Sequence, residues 1–147
     1  MNLKHFAGPA LAWTALATLL NLLWEIAHLP LYTISRDADG AGMAFAVFHC
    51  TAGDGLIALA SFMFAGMVLR DASWPLSRPA LGAAIAALLA VLFTIYSEWR
   101  NVYEIGAWAY LPDMPLVFGI GLTPLLQWVV IPPAATFFMR FRIIDQT

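Results

Sequence analysis

Four long apolar stretches, each interrupted by a small set of polar residues at helical spacing, organise this chain. We place them at about 8–33, 43–69, 80–104 and 116–139, and each exceeds the roughly 20 residues a helix needs to cross a hydrocarbon core. The segments between them, Ser35–Gly42, Arg70–Arg78 and Gly106–Pro115, carry the Gly, Pro, Asp and Ser expected of loops. Short connections predict neighbouring helices that run up and down. The expected fold is therefore an all-α integral membrane protein, an antiparallel four-transmembrane-helix bundle forming a single domain over 1–147. The first stretch follows Lys4 but has no small-residue cleavage pattern, so it reads as a retained span.

At about 100° per residue, Thr14, Asn21, Glu25, His28 and Tyr32 share one face of the first helix. Cys50, Asp54 and Ser61 share a face of the second, with His49 turned well away from Asp54. Thr94, Glu98 and Asn101 align on the third, and Thr123 with Gln127 on the fourth. Ionisable side chains inside a span are expensive and by default face the protein interior or a site. Counted from the outer loops, the polar groups lie roughly 8 to 18 Å deep at 1.5 Å per residue, in one layer of the outer half. The opposite half differs, since Gly82, Ala86 and Ala90 recur every fourth residue there. Such small-residue seams let membrane helices approach closely.

Composition agrees with this class. Of 147 residues 62% are hydrophobic and 11% charged, with mean hydropathy +0.79, which is too apolar for a soluble domain. A net charge of −2 leaves no basic face for nucleic acid. The lone cysteine, Cys50, reads as a small core residue. Lys4, Arg70, Arg78, Arg140 and Arg142 fall on one side, against Arg36 and Arg100 on the other. The positive-inside rule then puts both termini in the cytoplasm of a bacterial inner membrane. Trp99, Tyr103, Trp108 and Tyr110 read as an aromatic belt at the outer interface.

Three acids in one layer suit acid–base chemistry, with one ionised acid paired to protonated His28 and a neutral acid as proton donor. We expect Glu25 and Glu98 to transfer protons, Asp54 to orient or neutralise, and His28 to tune Glu25. Asn21, Asn101, Gln127 and Thr123 are expected to bind ligand by hydrogen bonds, with Trp24, Trp99 and Trp108 as cavity walls. No cofactor is expected. Glu25 and His28 do form an E-x-x-H pair, the spacing used in bundle dimetal sites, but the second such motif is missing. If a metal binds, its ligands are Glu25, His28, Asp54 and Glu98, which suit Zn, Mn or Fe. Haem ligation by His28 and His49 ranks lower, and His5 reads as a solvated terminal residue.

The segments N-L-L-W-E-I-A-H-L-P-L-Y at 21–32, H-C-T-A-G-D at 49–54, S-E-W-R-N-V at 97–102, W-A-Y-L-P-D-M-P from 108 and P-L-L-Q-W-V-V-I-P to 132 resemble an uncharacterised family of small bacterial four-helix membrane proteins. That resemblance implies no activity. More distantly, G-D on one helix, an acid on the next and an amide-Trp followed by Pro on the last are similar to the emopamil-binding-protein (EXPERA-like) group. That layout implies a four-helix core whose buried acids handle sterols or other lipophilic ligands.

The leading expectation is binding or acid–base conversion of a lipophilic small molecule, such as an isoprenoid, sterol-like lipid or quinone, with the bilayer as surroundings. The rival is an accessory subunit whose polar stripe packs against a second copy or a larger membrane complex. Metal binding and proton or ion translocation are further alternatives. Pro30, Pro124, Pro132 and Pro133 interrupt helices as in transporters, yet the polar layer stops about halfway.

Overall fold

The computed structural model describes residues 3–144, and side chains from 8 to 141. The side chains of Lys4, His5 and Arg142 lie outside the described residues. Six helices follow in chain order: α1 (Leu3–His28), α2 (Ile34–Asp37), α3 (Gly40–Leu69), α4 (Trp74–Ser77), α5 (Pro79–Trp99) and α6 (Leu122–Ile144). The long ones supply four segments apolar and long enough to cross a membrane: Gly8–Leu31, Gly40–Leu69, Pro79–Ile105 and Leu122–Phe141. Helix α1 packs on α3 and α6, and α5 packs on the same two. The four long helices thus enclose a common interior.

The helix ends have local causes. Pro30 disfavours α geometry at Leu29, so α1 stops at His28 and tightens into a 3-10 turn, Leu29–Leu31. Asp39 caps α3, its side chain accepting from the Gly42 amide at 2.7 Å. At the other end Arg70 adopts the left-handed conformation, φ 52°, while the Arg70 and Asp71 amides close back on Gly66, the usual pattern of a terminating helix. Proline opens α5, where a missing N–H costs nothing. Beyond Trp99 the chain continues as a π-helical segment, Arg100–Ile105, that ends at Gly106 with φ 69°.

The fourth span begins later than its hydropathy suggests. Residues 116–121, expected as helix, instead form a hairpin of strands β1 (Leu116–Val117) and β2 (Ile120–Gly121). Phe118 and Gly119 at its tip have φ 51° and 84°, the doubly left-handed geometry that suits a two-residue hairpin turn. The Tyr103 hydroxyl fastens this tip by donating to the Gly119 carbonyl at 2.5 Å.

At the end remote from that hairpin the interior is closely packed and aromatic. Trp13, Phe62 and Trp74 are all fully buried, with ring centroids 5.3 to 5.7 Å apart. The Trp74 indole donates to the Phe62 carbonyl at 3.2 Å. The Trp13 indole donates to Thr136 at 2.9 Å, and Thr136 donates on to the Pro132 carbonyl at 2.8 Å. Ala86 and Ala90 are fully buried on α5. Gly82 has a more specific duty than helix approach, because a Cβ there would sit 2.0 Å from the Trp74 ring.

Candidate functional site

At the hairpin end, α1, α3, α5 and α6 surround a cavity of about 350 Å³. Glu25 and His28 enter it from α1, Asp54 from α3, Glu98 from α5 and Gln127 from α6, so every wall contributes polar groups. The surrounding side chains are mostly apolar, including Leu29, Val47, Ile57 and Phe93.

Gln127 is the hub of its inner wall. Its amide nitrogen lies 2.7 Å from Asn21 Oδ1, 3.0 Å from Asp54 Oδ2 and 3.2 Å from Glu25 Oε1. One NH2 group carries only two hydrogens, so three acceptors share two donors. Glu25 Oε1 also faces His28 Nε2 at 3.2 Å. Asn21 and Gln127 are 0% and 2% exposed, so this cluster is sealed from the exterior on the α6 side.

Glu98 belongs to a second cluster. Its Oε2 accepts from the Tyr110 hydroxyl at 2.6 Å and from Tyr32 at 3.3 Å. Burial, then the bond to Glu98, raises the Tyr110 phenol above its ordinary range. Tyr110 therefore remains a hydroxyl donor at any ordinary pH. The Tyr32 ring stands edge-on to His28 at 5.2 Å and bridges the two clusters.

A strap closes the hairpin end. Tyr32 and Tyr110 form an isolated antiparallel bridge, flanked by Thr33 N to Ala109 O and Leu111 N to Leu31 O, both at 2.9 Å. The Ala109 amide adds a bond to Thr33 Oγ1 at 3.0 Å. The α1–α3 linker and the α5–α6 loop are thereby stitched into one roof. Trp108 hangs from that roof into the cavity.

The remaining candidates divide. Asn101 lines the cavity, although its amide donates along its own helix to the Ser97 carbonyl at 2.9 Å. Asn21 stands behind Gln127 and reaches the cavity only through it. Thr123 donates instead to Met114 Sδ at 3.2 Å. Trp24 packs against the buried hydrophobic core and Trp99 is half exposed on the outside, and neither walls the cavity. Conversely His49, which an ideal helical wheel turns away from Asp54, does line it. The α3 wall is a broad arc that includes Ala46, His49, Cys50 and Asp54, not a single stripe. His49 is exposed at its edge and stacks on Phe45 with centroids 5.7 Å apart. Tyr110, read as part of an interfacial belt, points inward to Glu98; only the roof's fold reveals this, since no local spacing links residues 32, 98 and 110.

The conditional metal set is split between the two clusters, Glu25, His28 and Asp54 around Gln127 and Glu98 between two tyrosines. Among the described residues no three acidic, histidine or cysteine side chains come together as ion ligands. The donor geometry fits hydrogen-bonded carboxyl groups. Two buried atoms of the inner cluster, His28 Nδ1 and Asn21 Nδ2, have no hydrogen-bond partner. Comparison with protein-family models, curated proteins and solved structures gives no match for this chain.

Proposed function

We propose that the chain crosses a bacterial inner membrane four times as an antiparallel bundle with both termini in the cytoplasm, and that its outer-half cavity binds or acid–base converts a lipophilic small molecule. One observation carries this reading: a 350 Å³ cavity with a largely apolar lining in which three carboxyl groups from three different helices end. Apolar pockets with a few convergent polar groups are the usual form of small-molecule sites. Glu25 and Glu98, each next to a second proton-carrying group, are the proton-transfer residues. Asp54 and Gln127 fix Glu25 in place, His28 tunes it, and Asn101 and Trp108 contact the ligand. The layout similarity to the emopamil-binding-protein group points the same way.

The accessory-subunit reading requires the polar stripe to be available to a partner. Asn21, Asp54, Glu98 and Gln127 are instead buried within one chain, which favours an internal site. The packed Trp13–Phe62–Trp74 base beneath the cavity weighs against translocation.

The test is retention of apolar molecules by protein released gently from membranes, read by native mass spectrometry with metal analysis on the same sample. Retention and turnover are expected to fall in Glu25→Gln, Asp54→Asn and Glu98→Gln without loss of helix content. Unchanged binding and turnover in all three would sink the assignment.

A further inference from the structure

The polar cavity has an apolar neighbour. A second recess, of about 300 Å³, runs between α3 and α5 and is lined by Leu56, Ile57, Ala60, Ser61, Leu89 and Phe93. Leu56, Ile57 and Phe93 line both spaces, so the two adjoin across these three side chains. Ser61 is its one polar side chain. Ser61 follows Asp54 by seven positions, so the groove extends about 10 Å along α3 from the acids at 1.5 Å per residue. Leu56, Ala60 and Phe93 are exposed along its rim, so it opens sideways on the apolar flank of the molecule and not through the roof.

The chemistry of the two compartments differs sharply. Apart from the Ser61 hydroxyl, the groove offers hydrocarbon contacts. The cavity offers carboxyl oxygens from Glu25, Asp54 and Glu98, and none of its lining residues is Lys or Arg. An anionic head there would meet like charge or unpaired acids, a costly arrangement in a buried site. His28 Nδ1, on a residue 7% exposed, has no partner. With Nε2 engaged by Glu25, Nδ1 is an acceptor when the ring is neutral and a donor when it is charged. A hydroxyl satisfies it in either state, donating to the neutral ring while accepting from a protonated carboxyl group, or accepting from the charged ring while donating to a carboxylate, whereas an ammonium group can only donate.

Resting on the proposed lipophilic-ligand site, we infer that the ligand is a single-chain alcohol that enters laterally, its hydroxyl held between His28 and the acids and its hydrocarbon tail lying in the α3–α5 groove. Ala60 sets the room for the tail. His28 Nδ1 and the absence of a basic residue select the head.

The test uses the full chain in lipid nanodiscs, titrated with hexadecanol, hexadecanoate and butanol and read by native mass spectrometry. Hexadecanol is expected to be retained at one per chain, hexadecanoate at least about tenfold more weakly, and butanol not at all. Ala60→Trp, which fills the groove from its exposed rim, should weaken hexadecanol by about tenfold with helix content unchanged. Equal retention of hexadecanoate would overturn the assignment of the head. Full hexadecanol binding by Ala60→Trp would overturn the groove, and continued sensitivity to Glu25→Gln would then leave the cavity itself standing. No retention of hexadecanol or any other apolar molecule would overturn this inference together with the function on which it rests.

Discussion

The two ends of the helical bundle solve the burial problem in opposite ways. Around Trp13, Phe62 and Trp74 both indole N–H groups have a partner and the space is filled by rings. Around Gln127 and Glu98 the polar atoms outnumber their partners, and a cavity remains. Low-dielectric surroundings strengthen satisfied hydrogen bonds and penalise unsatisfied ones. A chain that keeps donor-poor acids in one half while packing the other tightly concentrates its stability in one place and its chemistry in another.

That division can be broken at its strongest point first. Trp74→Ala should destabilise the protein by about 3–5 kcal/mol, as large-to-small core substitutions do, measured by unfolding in detergent, while ligand retention per folded molecule stays unchanged. A loss of retention in the folded fraction would mean that the two ends are not separate. Gln127→Leu comes next, since it removes the donor shared by Asn21, Glu25 and Asp54. An orphaned buried polar group costs about 1–3 kcal/mol, so a loss of that order is expected, accompanied here by lost ligand retention. Tyr110→Phe should cost about 1 kcal/mol and slow turnover, with Tyr32→Phe less harmful because its bond to Glu98 is 3.3 Å against 2.6 Å. Equal effects of the two tyrosines would remove Tyr110 as the principal donor.

The smallest effect lies outside both regions. Asp71, in the α3–α4 connection, accepts from the Ser77 hydroxyl and from the Ser73 amide, and these bonds hold its carboxyl below the usual carboxylate range. A depressed folded-state value contributes stability that is present above the ordinary carboxylate range and lost as pH falls through the folded-state value. Asp71→Asn should therefore flatten a slight acid-side decline in melting temperature and leave the neutral value nearly unchanged. A large loss at neutral pH would show that this turn supports the aromatic base directly.

Much of this architecture can be read from periodicity. Apolar runs of sufficient length mark the helices, and the alignment of Asn21 with Glu25 and His28 follows from turn geometry alone. The structure departs where the determinant is three-dimensional. Residues 116–121 are apolar enough to extend the last helix, but the left-handed pair Phe118–Gly119 folds them back. Helical wheels treat each face as a line, so they exclude His49 from a cavity whose α3 wall is an arc. They equally cannot separate Trp99, outside, from Trp108, inside, because that choice is made by the roof that bridges Tyr32 to Tyr110.

The position of Gln127 in the chain sets an order of assembly. Synthesis proceeds from the N-terminus, so Asn21, Glu25 and Asp54 emerge from the ribosome long before the one amide that serves all three. Until α6 arrives, a nascent three-helix intermediate carries Asn21, Glu25 and Asp54 without the amide they share. Completion of the last helix thus completes the cluster, and chains truncated before it would lack the donor common to all three side chains.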